Sequence, residues 1–154
     1  MSMLARYRKT GGFEQLRSLL ESSLSKKREM LLKAIEGEDK EWASLLQASL
    51  LTFEKIATWD PLVIAEATSR MGDKALAVLM VGKSEELFSK FTHSFRDMKK
   101  RDIKSLMEPL KPTQVEMESA LIKLIEKVRE LEKVGSLRLD KDGIPVPNGI
   151  PKTA

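Results

Sequence analysis

Cysteine is absent from all 154 residues, which excludes disulfides, thiol catalysis and thiolate metal sites. There is one histidine, His93. It stands between Thr92 and Ser94 with no partner spaced to serve it, so a two-histidine metal helix or an ordinary Ser-His-Asp site with a spare base has little material. Aromatic residues are 5% of the chain and β-branched runs are scarce, which argues against a sandwich or barrel. Long apolar runs are missing too. Residues 75–81 form the longest, seven residues, against the roughly 20 that a membrane-spanning helix needs. The chain does not open on a charged-then-apolar leader. The eight glycines are scattered, and no glycine-rich phosphate loop occurs.

What remains is a helix-forming composition. Hydrophobic residues are 42% and charged residues 32%, too apolar for general disorder. The length suits one domain or two small lobes. Leu, Lys, Glu, Ser and Met dominate, and each fits a helix.

The spacing predicts where the helices lie. Arg6, Arg8 and Lys9 precede Gly11-Gly12, so residues 1–12 are expected to be a flexible basic tail ending in a Gly-Gly linker. Phe13, Leu16, Leu19 and Leu20 recur at helical spacing. A second helix is expected from Ser25 to Glu36, with Met30, Leu31, Ala34 and Ile35 on its buried stripe and Gly37 as its stop. Asp39 is a good N-cap for a third, carrying Trp42, Leu45, Leu46, Leu50, Phe53 and Ile56. Asp60-Pro61 opens a fourth, broken at Gly72. The block 75–81 is read as a buried helix, and Ser84, with Glu85 and Glu86 in the first turn, caps the next. Leu87, Phe88, Phe91 and Phe95 form that helix's apolar stripe.

Thr113 and Glu116 make a capping box ahead of the longest helix, whose Met117, Leu121, Leu124, Val128 and Leu131 form a continuous seam closed by Gly135. Residues 136–139 read as a short extended piece. Residues 140–154, rich in Gly and Pro, are expected to be a disordered tail.

Acidic pairs such as Glu85-Glu86 sit at helix starts, where capping explains them without acid–base chemistry. No catalytic, cofactor or metal site is implied, and the chain does not read as an enzyme. The segment with most to say is basic and amphipathic. Arg96, Lys99, Lys100, Arg101, Lys104 and Lys111 face only Asp97, Asp102 and Glu108. Such a run suits a solvated helix face or an electrostatic docking surface for an acidic protein. Nucleic acid ranks last, because no aromatic platform is interleaved with the charges.

Read in order, these segments resemble the C-terminal domain of the flagellar motor switch protein family FliG. Gly11-Gly12-Phe13-Glu14 is similar to that family's Gly-Gly linker. REMLLKAIEGEDKEWA, from Arg28, resembles its "EKRILEALEEEDPELA". Leu50-Leu51-Thr52-Phe53 falls where the family has a Met-Phe-x-Phe hinge, and FEKIATWD from Phe53 follows like "FEDIxxLD". ALAVLMVG from Ala75, SEELFSKF from Ser84, EPLKPTQVE from Glu108 and VRELEKVGSLRL from Val128 are similar to later family segments. Together they cover residues 11–140.

The resemblance implies an all-α fold with right-handed superhelical helix packing. An armadillo-like lobe would occupy residues 13–56 and a six-helix lobe residues 57–139, joined at a hydrophobic hinge patch of Leu50, Leu51, Thr52 and Phe53. It implies partners rather than substrates. These are the cytoplasmic loop of the stator protein MotA, the switch proteins FliM and FliN, and neighbouring FliG subunits, all at the cytoplasmic face of the flagellar basal body. The charged docking helix would comprise Arg96, Lys99, Lys100, Arg101, Asp102, Lys104 and Lys111. The family's order of Arg, acidic pair and Arg is not reproduced there. The chain reads as a diverged or truncated member, without the family's membrane-ring anchor and middle domain. A FliG-derived adaptor without a torque role is the alternative.

Overall fold

The computed structural model describes residues 3–146, and these are helical with no strand among them. A 3-10 turn, Leu4–Tyr7, leads into α1 (Gly12–Glu21), α2 (Ser25–Glu38) and α3 (Lys40–Ser49). After a three-residue extended link come α4 (Phe53–Ala57), α5 (Pro61–Thr68), α6 (Asp73–Met80), α7 (Glu85–Phe91), α8 (Asp97–Met107) and α9 (Gln114–Lys133). No helix among the described residues is long and apolar enough to cross a membrane.

The helix starts are where short polar side chains satisfy free amides. Asp39, Thr52, Asp60, Ser84 and Thr113 each accept a hydrogen bond from a backbone N–H in the first turn of the following helix. Thr113 and Glu116 complete a reciprocal capping box, which is worth about 1 kcal/mol at such a site. Gly82 and Gly135 hold left-handed backbone, φ 81° and 83°, where α6 and α9 end, a conformation that disfavours a Cβ.

Among the described residues burial forms two hydrophobic clusters with no shared buried member. Leu4, Leu16, Leu20, Ile35, Ala43, Leu46 and Leu50 form the first. The second, larger cluster begins at Leu51 and draws on α4 to α9, with Ile64, Leu76, Met80, Phe91, Ile103 and Leu124 all fully or almost fully buried. Adjacent residues, Leu50 and Leu51, therefore serve different cores.

Four local expectations change. Residues 3–12 are docked rather than a flexible tail. Leu4 is wholly buried, Glu38 accepts hydrogen bonds from the Met3 and Leu4 amides, and Arg8 pairs with Asp39 at 2.8 Å while lying 5.0 Å from the Trp42 ring centre. The tail's apolar Leu4, overlooked beside its basic residues, is what anchors it.

The second change concerns α2, which runs through Gly37 to Glu38 and turns Met30 and Ala34 outward. Its inward residues are Leu31, Leu32 and Ile35. Third, the helix expected to run from Asp39 past Phe53 stops at Ser49 and restarts at Phe53. Finally, residues 139–146 form a tight turn rather than disordered chain: Leu139 bridges Pro145, and Asp140 Oδ1 accepts from the Asp142 and Ile144 amides. Residues 147–154 of the expected tail lie outside the described residues.

Candidate functional site

The link between α3 and α4 carries the first candidate, Leu50 to Phe53. Leu50 is 6% and Leu51 3% exposed, so both face inward, one into each cluster. The Leu51 amide donates to Glu21 Oε2 at 3.0 Å. Thr52 is exposed and caps α4. Phe53 is half-buried against the second cluster, its ring stacked on Phe91 with centroids 5.1 Å apart and the Lys83 ammonium 4.8 Å from its centre. The patch is thus not a continuous exposed apolar surface. Its two leucines form a buried crossing point between cores.

Lys55, one turn into α4, reaches back across this link. Its Nζ donates to the Ala48 and Leu50 carbonyls, satisfying the end of α3 as a cation suits a helix C-terminus. Burial lowers the Lys55 ammonium below the ordinary lysine range, with nearby Asp142 opposing.

The second candidate is α8 with its flanks. Lys99, Lys100, Arg101 and Lys104 share it with Asp97 and Asp102, and the structure sorts them by face. Ile103 is fully buried and Met107 half-buried, fixing the inward side. Lys99 lies 3.6 Å from Asp73 and 4.2 Å from the centre of the Phe95 ring. Lys104 pairs with Glu85 at 2.7 Å and sits 5.0 Å from the Phe88 ring centre. Two of the expected docking lysines are therefore turned toward their own lobe.

Arg96, Lys100, Arg101 and Lys111 form no ion pair among the described residues. Around Arg101 the exposed side chains are Asp97, Met98, Asp102, Lys104, Ser105 and Leu106, with Met98 68% exposed. The outward face is consequently mixed in charge with an apolar edge, not uniformly basic. His93 is exposed, and no group of three or more acidic or histidine side chains among the described residues could hold a metal.

Sequence spacing missed the side chains that join the two clusters. Glu21, on α1, contacts Arg129, on α9, at 2.6 Å, and Ser25 donates from both its amide and its hydroxyl to Glu118. No sequence signal marks pairs 108 and 93 residues apart.

These elements define an all-α chain of two helical clusters with a mixed-charge helix on the surface of one. The FliG C-terminal domain model matches residues 33–139, and the chain belongs to that family. Two solved structures of H. pylori FliG are similar to it. One, of residues 86–343 of that protein, aligns with a TM-score of 0.61 and 22% identity over 84% of this chain and 62% of its own. Another, of residues 116–343, gives 0.54 and 23% over 81% and 56%. This chain spans less than two thirds of the length of either. No curated protein matches the sequence.

Proposed function

We propose that this chain is a component of a flagellar motor switch, acting through protein contacts in torque generation and rotation switching. The family match over residues 33–139 carries the reading. On this reading the exposed side of α8 around Arg101 meets the cytoplasmic loop of the stator protein MotA. FliM, FliN and neighbouring FliG subunits are its partners in the switch, at the cytoplasmic face of the basal body. A face of interspersed charges suits such work, because complementary charge speeds encounter and release without a deep interface.

The test is capture of the purified chain by the stator loop and by each switch protein, paired with deletion in the source cell. Capture by any of them together with loss of swimming supports the reading. A folded chain that captures none, with swimming unchanged on deletion, defeats it.

A second reading, a helical adaptor without a torque role, is favoured by one observation. Lys99 and Lys104 are engaged within their own lobe, which leaves a docking face different from a row of free cations. Binding to a switch protein but not to the stator loop would select it.

A further inference from the structure

The two clusters meet through polar groups. Glu21 is 5% exposed, and its side-chain hydrogen bonds leave α1. Its Oε1 accepts from Arg129 Nε at 2.9 Å. Its Oε2 accepts from Arg129 Nη2 at 2.6 Å and from the Leu51 amide at 3.0 Å. Arg129 Nη2 also donates to the Ser49 carbonyl at 3.0 Å, and Nη1 reaches Glu132 at 2.9 Å. One guanidinium on α9 thus grips the last residue of α3 directly and the first residue of the second cluster through Glu21.

The chemistry of that grip differs from an apolar contact. An apolar contact is non-directional, whereas a two-pronged guanidinium–carboxylate pair adds geometric specificity. The pair is also largely out of water: the side chains of Arg129 and Glu21 are 18% and 6% exposed. A shielded ion pair adds little net stability over a well-packed apolar pair, but separating its members strands a charge. Burial works against the Arg129 charge, and the Glu21 and Glu132 carboxylates outweigh it, holding its pKa above the ordinary arginine value. Arg17 beside it is pushed the other way, first by burial and then by repulsion from Arg129.

We propose that Arg129 is a positioning residue that latches the two lobes in this orientation by clamping residues 49–51 through Glu21. Each lobe keeps its own core, so opening the latch frees the link without unfolding either lobe. The latch is a property of this chain whatever partner it meets.

The absence of cysteine makes the test direct. Met30→Cys and Met98→Cys place spin labels on α2 and α8, at positions 71% and 68% exposed, one in each lobe of the full chain. With Glu21 and Arg129 intact, pulsed electron–electron resonance should give a single narrow distance distribution. Arg129→Gln should lose that narrow peak, with amide-exchange protection retained inside both clusters. Glu21→Gln combined with Arg129→Gln removes both charges and strands neither, and it should lose the peak as well. The parent's narrow peak in either folded variant overturns the latch. Loss of exchange protection in both lobes of the double variant overturns it too, since the pair would then belong to the fold at large.

Discussion

Phe53 stacks on Phe91 with 5.1 Å between ring centroids and 12° between ring planes. The contact ties the first residue of α4 to the last residue of α7, so the C-terminal side of the link belongs to the second lobe. Phe53→Ala should cost about 2 kcal/mol, less than a fully buried Phe, because the ring is only half-buried. The loss should appear in urea denaturation as destabilisation of the second cluster. Unchanged unfolding would remove the stacking from the forces that hold α4.

The docked N-terminal segment makes its own prediction. Leu4 is wholly buried, so Leu4→Ala should destabilise the first cluster by about 3 kcal/mol. Gly12 is packed against the Tyr7 backbone, where an added Cβ would lie 1.9 Å from the Tyr7 carbonyl oxygen. Gly12→Ala should therefore displace the segment. Denaturant unfolding and proteolysis of residues 3–11 measure both, and a freely mobile tail would leave both variants silent.

Acid should loosen α2 from α9 at one place. The Ser25 amide, Gln114 and the Ser25 hydroxyl hold the Glu118 carboxyl below the ordinary glutamate range. A carboxylate with a depressed folded pKa stabilises the fold fully above its unfolded value, about 4.3. That contribution is lost as pH falls through the lower folded value. Exchange of the Ser25 amide, measured down a pH series and corrected for intrinsic rates, should lose protection in that acid window. Glu118→Gln should remove the pH dependence.

On α8 the structure separates cations paired within the chain, Lys99 and Lys104, from Arg101, which forms no ion pair among the described residues. Arg101→Glu should slow association with an acidic partner by on the order of tenfold and weaken its salt dependence, with melting unchanged. Lys104→Glu should break the exposed pair with Glu85, costing at most about 1 kcal/mol. Equal effects of the two on association kinetics would contradict this division of the face.

Much of the helical layout was legible because its determinants are local. Asp39, Asp60, Ser84 and the Thr113–Glu116 pair each satisfy amides within a turn of themselves, so a reader of the chain sees both partners at once. The seam of Leu124, Val128 and Leu131 on α9 is legible for the same reason, since helical period alone puts these residues on one face. The face of α2 was legible only in part, through Leu31 and Ile35. Leu31, Leu32 and Ile35 against Met30 and Ala34 is a choice between adjacent stripes, and only the placement of α1 and α3 settles it. The charged helix was found as a segment but not as a surface, because Asp73 and Glu85, which draw in Lys99 and Lys104, lie on other helices.

By itself, then, the sequence determined an all-helical chain, the positions of most helix starts, and membership of a family through ordered local segments. Capping, helical period and motif order act over a few residues and survive without a fold. Only the tertiary structure decided that Leu50 and Leu51 part into separate cores, that Leu4 anchors the N-terminal segment, and that Glu21 meets Arg129 across 108 residues. Such contacts depend on where whole helices pack, which no span of a few residues along the chain records.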